Sequence, residues 1–202
     1  LDFERKRLLA AGFPADCRVE TCGPGREGVN RWAGANRRLA GPVLLVGLAG
    51  ALVDRYEIGD VVIADAVLAA GGKRIETTWS IDDPGARRGA ITSTTRSVTS
   101  RPAKGSLRAV TGATIVDQES QAFAEAGREL GWRFGIVRGI GDTLDNPLPP
   151  GCDKWVDHHG RALLTQVAAS LLREPSLLGR MRQIKRSGEL AMDNLAEVLE
   201  RL

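Results

Sequence analysis

PVLLVGLAGAL, residues 42–52, is a continuous apolar run that closes on small side chains. A run with no polar alternation predicts a β-strand buried on both faces, the pattern of a parallel or mixed sheet covered by helices. It is interrupted by glycine and too short to span a bilayer. Downstream, EIGDVVIADAVLAA (57–70) predicts a second strand approached through a Gly-Asp turn, and GAITSTTRSVTS (89–100) a third. ATIVDQES (113–120) and RFGIVRGIGDTLDNPLPP (133–150) add two more, the last leading into a loop rich in Gly, Asp and Pro.

Helical stretches alternate with these strands. LDFERKRLLAAG (1–12), residues 27–39, KGSLRAVTG (104–112) and QAFAEAGRELG (121–131) have helical character, the last closed by Gly131. From Trp155 onward the chain reads as helix with a break at Glu174-Pro175. CRVETCGPG (17–25) predicts a short strand running into a glycine turn, and residues 71–88 a polar loop or edge excursion. The order predicts the α/β class: one domain over residues 1–202, with a central mixed, partly barrel-like sheet flanked by helices and a C-terminal helical part at 155–202. Such a domain ordinarily opens on a strand, so the helix at Leu1 raises the expectation that a first strand is missing from this sequence.

Composition narrows the classes. With 43% hydrophobic but only 4% aromatic residues, the core must be built from Ala, Val, Leu and Ile. The net charge of +3 comes from scattered Lys and Arg, which argues against a nucleic-acid partner. Arg173 to Arg186 reads as an ordinary exposed helix face rather than a membrane-binding one. Cys17, Cys22 and Cys152 make neither an even disulfide framework nor close metal-ligand spacing, so a reduced, cytoplasmic setting with no metal and no cofactor is expected.

Ligands of open α/β sheets bind beyond the carboxyl ends of strands. Four segments place small or acidic residues there: Gly23–Gly25, Gly47–Gly50 (Gly47, Leu48, Ala49, Gly50), 116–120 and 139–142. Glycines admit a ligand to the backbone, while Glu119 and Asp142 offer acceptors to hydroxyl or amine donors, as on a ribose and a purine. Asp117 and Glu119 alternate along a predicted strand, so they are expected on opposite faces, with Glu119 toward the pocket and Asp117 in a structural role. The adjacent His158 and His159 cannot share one helix face and are read as surface or satisfied core residues.

In VGLAGALVDRYEIGDVVIAD, GATIVDQESQAFA and FGIVRGIGDTLD, in that order, the chain resembles the nucleoside phosphorylase and nucleosidase superfamily, which includes methylthioadenosine/S-adenosylhomocysteine nucleosidases. The resemblance covers most of the chain from about Cys22 to Pro150, with a weaker match in the N-terminal helix. The tail from WVDHHGR through LLREPSLLGRM looks most like the branch associated with hopanoid biosynthesis. What the resemblance implies is cleavage of the N-glycosidic bond of a purine nucleoside, with adenine as the released base. By it, Asp142 matches the acid that protonates the base, Glu119 the carboxylate that grips the ribose hydroxyls, and Glu4 the base that activates water. Ser97 and Val98 fall where the family packs against the purine. A homo-oligomer is implied in the same way.

The departures from the pattern point to chemistry. Leu48 stands where relatives carry a Ser, and Leu45 where phosphorolytic members carry an Arg. An apolar side chain cannot hold a phosphate dianion, because burying unpaired charge is costly. Hydrolysis is therefore expected, unless Arg26 beside the Gly23–Gly25 turn brings a cation to a phosphate or water site. Gln118 replaces a Met against the ribose and Gly141 a Ser before the acid. Two alternatives follow: phosphorolysis of an adenosyl-linked lipid, and a nucleoside-binding protein that has lost turnover.

Overall fold

The computed structural model describes residues 2–10, 17–69, 71–155, 157, 163–174 and 176–202. His158, His159 and Pro175 lie outside these. The strands are β1 (Val43–Ala51), β2 (Val61–Leu68), β3 (Arg74–Glu76), β4 (Arg87–Ser93), β5 (Ile115–Asp117) and β6 (Phe134–Asp142). Their order is β3-β2-β4-β5-β1-β6, and β6 returns to pair with β2, so five strands close a barrel that β3 extends. The seam is β2. One edge runs parallel to β4, while the other gives Val61–Ile63 to β6 and Ala66–Leu68 to β3, both antiparallel.

The apolar runs explain the centre of this sheet. β1 and β6 lie parallel from Val43 opposite Phe134 to Ala49 opposite Ile140, then shift register so that Gly50 meets Asp142. On one face Leu45, Ala49, Ile136 and Ile140 join a cluster with Val29 and Phe123. On the other, Leu44, Val46, Leu48 and Val137 pack beneath Met192 and Leu195 of the C-terminal helix. Each Val, Leu, Ile, Phe or Met side chain taken fully out of water contributes about 1.5–3 kcal/mol.

The helices are α1 (Asp2–Ala10), α2 (Gly25–Ala35), α3 (Arg101–Thr111), α4 (Ser120–Leu130), α5 (Leu164–Arg173) and α6 (Leu177–Glu200), with a 3-10 turn at Cys152–Trp155. Gly131 closes α4 in the left-handed conformation, as its place in the sequence predicts. The polar stretch 71–88 contains the short edge strand β3. Three expectations need correction. Residues 17–23 form no strand, having no ladder partner among the described residues. α2 ends at Ala35 rather than near Leu39, because Asn36 caps it and returns its amide Nδ2 to the Trp32 carbonyl at 2.9 Å. β4 stops at Ser93, and the loop after it carries Ser97 and Val98 to a large cavity. Among the described residues no helix is long and apolar enough to cross a membrane.

Candidate active site

That cavity, of about 1270 Å³, opens at the carboxyl ends of β1 and β6, bordered by α1, α6 and the loops after β4 and β6. Three groups of polar side chains line it. The first is built on Asp142, the last residue of β6. Its carboxylate lies against Gly50, where a Cβ would stand only 2.7 Å from Oδ1, so a side chain at position 50 would displace the acid. Lys104 of α3, wholly buried, bonds Oδ2 of Asp142 and donates to the Thr143 carbonyl at 3.0 Å. Burial pushes the Asp142 pKa up, and this outweighs the opposing pull of Lys104 and of the Leu148 amide.

The second group centres on Arg138, four residues earlier on the same strand and 3% exposed. Its guanidinium bonds Asp117 and lies 3.6 Å from Glu119 Oε2. The Nε is buried with no hydrogen-bond partner, so the fork keeps a donor unspent. Gly47, opposite Arg138 in the ladder, has φ +150°, and a Cβ there would meet Arg138 at 2.6 Å and Glu4 at 3.0 Å. That opening lets Glu4 of α1 accept the Leu48 amide at 3.0 Å. Glu119 accepts the Gly25 amide at the start of α2 at 2.7 Å. Asp117 also accepts the Ser93 hydroxyl at 2.6 Å, the Ser120 hydroxyl at 2.5 Å and the Ser120 amide at 3.1 Å, which ties β4, β5 and α4 together.

The third group joins Ser97, Gln118 and Asp153. Asp153 accepts the Ser97 amide at 3.2 Å and hydroxyl at 2.5 Å, and Gln118 Nε2 donates to Ser97 Oγ at 3.2 Å. Beside it, burial pushes the Cys152 thiol up, and Cys22 across the cavity behaves likewise.

Glu4, Gly23, Leu48, Ala49, Gly50, Ser97, Val98, Gln118, Glu119 and Asp142 all border this one cavity. Gly47 does not border it but lies against Arg138 and Glu4, which do. The expected separation of Asp117 from Glu119 does not hold. β5 ends at Asp117, Glu119 sits at the N-cap of α4, and both carboxylates turn to Arg138. Arg26 is not a cavity cation either. It pairs with Glu125 of α4 at 2.7 Å, while the Gly25 amide is taken by Glu119. Sequence reasoning does not single out Lys104, Arg138 or Asp153. Only Arg138 carries a signal, a charge inside the otherwise apolar and glycine-rich run FGIVRGIG.

Glu119 has its pKa raised, first by burial, then by Asp117, against the pull of Arg138 and the Gly25 amide. A carboxyl raised in the fold stabilises it fully only below the ordinary carboxylate range, and that contribution is lost as pH rises through the folded pKa. Glu119→Gln keeps an oxygen for the Gly25 amide and removes the charge. Thermal melts should show the variant above the wild type at about pH 8, with the gap closing toward about pH 4. A gap that ignores pH would mean that the charge of Glu119 costs the fold nothing.

The fold and cavity define a barrel-centred α/β protein with a buried acid at a strand end and a carboxylate-ringed arginine on the same strand. The chain belongs to the phosphorylase superfamily, whose family profile matches residues 73–173. Solved structures share the fold. The 5′-methylthioadenosine/S-adenosylhomocysteine nucleosidase of Helicobacter pylori is 15% identical with a TM-score of 0.67, covering 100% of this chain and 95% of that one. Futalosine hydrolase from the same organism gives the same four values. The nucleosidase of Colwellia psychrerythraea, solved with adenine, is 15% identical with a TM-score of 0.61, over 90% of this chain and 76% of that one. No curated protein matches by sequence.

Proposed function

We propose that the protein cleaves the N-glycosidic bond of a purine nucleoside, adenine being the leaving base, with water as the nucleophile. The observation that carries this reading is one cavity lined both by a buried acid of raised pKa, Asp142, and by Glu4, Glu119 and Arg138 gathered together. As the C1′–N9 bond breaks, Asp142 gives its proton to N7 of the base. Glu119 accepts the ribose hydroxyls and stabilises the positive charge that grows on the sugar. Water adds to C1′ and its proton passes to Glu4. The cavity exceeds the about 300–1,000 Å³ of ordinary ligand sites, which leaves room for a substituent at the 5′ carbon.

Two features support hydrolysis over phosphorolysis. Leu45 and Leu48 offer a phosphate no donor side chain; of the guanidiniums that line the cavity, Arg18 pairs with Glu20, Arg5 donates to the Val19 carbonyl, and Arg138 is already faced by Asp117, Glu119 and Glu4. A phosphate dianion there would meet more negative charge than positive. Three free cysteines fit a reduced, cytoplasmic setting.

Incubation with methylthioadenosine, S-adenosylhomocysteine and adenosine, with and without phosphate, tests the proposal. Free adenine should appear equally fast in both buffers, with a free sugar as coproduct. Strict dependence on phosphate and a sugar 1-phosphate would select phosphorolysis instead. Tight adenine binding without base release from any nucleoside would reduce the protein to a binder.

A further inference from the structure

We propose that Lys104 is the positioning residue of Asp142: it grips Oδ2, leaves the other carboxylate oxygen for the departing base, and keeps the buried acid strong enough to surrender its proton. The inference rests on the N-glycosidic reading above. Lysine is almost never fully buried unless paired. Lys104 is 0% exposed and is the one buried residue of α3, whose Arg101 turns outward to Asp54 and Asp145. A buried ion pair is a poor device for stability, since apolar side chains of similar volume often serve as well or better. The placement of Lys104 is therefore not explained by holding α3 to the sheet.

The surroundings of Asp142 make Lys104 its direct counter-charge. From β1 comes Gly50, which carries no charge. From the 3-10 turn comes the Cys152 thiol, kept neutral by burial. On the far side a small pocket brings Asp145 of the following loop and Arg180 of α6, neither bonded to Asp142. Burial raises the pKa of Asp142, and the charge of Lys104 is the largest influence opposing it. A general acid whose pKa climbs too far becomes a weak donor even though it is fully protonated. Lys104 acts against that.

Lys104→Met, Lys104→Gln and Lys104→Arg test the idea, with the methyl or amide variant serving if the other does not fold. Two readouts are taken: pH profiles of kcat and kcat/KM with a nucleoside that the wild type cleaves, and the titration of the Asp142 carboxyl by carbon NMR, assigned with Asp142→Asn. In the neutral variants kcat should fall at least about tenfold with KM little changed. The alkaline limb of kcat/KM and the NMR midpoint should both move up by at least about one pH unit, a tenfold change in proton affinity. Lys104→Arg should bring the limb back toward the wild-type position. An unmoved limb and midpoint, with adenine release intact in the wild type, would overturn this inference alone. A midpoint that moves in a protein that cleaves no nucleoside would overturn the functional reading, and the catalytic part of this one with it.

Discussion

On the proposed mechanism, Asp142→Asn is expected to lower kcat for adenine release by about a thousandfold, within the about 10²–10⁴ range that a positioned general acid supplies. The amide can still bond the base, so KM should change by no more than a small factor. It has no acidic proton to give N7, so bond cleavage must proceed through an unprotonated purine anion. The substitution also strips a counter-charge from Lys104, which is wholly buried, and leaving a buried charge unpaired is itself destabilising. Activity loss through unfolding must therefore be separated from loss of the acid. Asp142→Asn/Lys104→Met removes both charges, and its melting temperature should recover toward the wild type while its activity does not. An asparagine variant that keeps more than about a tenth of wild-type kcat would remove Asp142 from the role of acid.

How legible the molecule is from its sequence depends on how local each signal is. β1 and β6 are readable because each is a stretch of apolar and small residues whose burial on both faces leaves few other solutions. The end of α4 is readable because Gly131 alone can take its left-handed cap cheaply. Residues 17–23 mislead because a strand needs a partner, and a short stretch running into a glycine turn does not say whether one is present. Period-two alternation misplaces Asp117 against Glu119, since the strand stops at the first of them and a helix begins beyond the second. Lys104 has no local signature: its neighbours on α3 are exposed, and its partner lies 38 residues away on β6. Arg138 is visible as a charge in an apolar run, but its meaning comes from Asp117, 21 residues distant. Of the candidate residues, Asp142 and Glu119 are singled out by ordered motifs rather than by periodicity, and Glu4 only by its place in the N-terminal helix.

Arg138→Met should produce the largest loss of stability of any single change at the site, about 3–5 kcal/mol, the cost of removing one member of a buried ion pair. For a chain of this length that corresponds to a fall in melting temperature of about 6–20 °C. Asp117, with 1% of its side chain exposed, would keep its serine donors but lose the cation that balances it. Glu119, its pKa already raised by burial and by Asp117, would be pushed further up without Arg138 to oppose them, so the grip on ribose hydroxyls proposed for its carboxylate would weaken together with the fold. Arg138→Lys is no remedy: a single ammonium lacks the fork that serves Asp117 and Glu119 from one nitrogen and faces Gly47 with the other. The diagnostic variant is Asp117→Asn/Arg138→Met, which removes both charges and leaves asparagine to cap α4 through Ser120. Calorimetry should place it well above Arg138→Met in melting temperature, because neither side chain is then left as a lone buried charge. If instead the two changes simply add, Arg138 holds the strand by packing, and the carboxylates around it are not there to balance its charge.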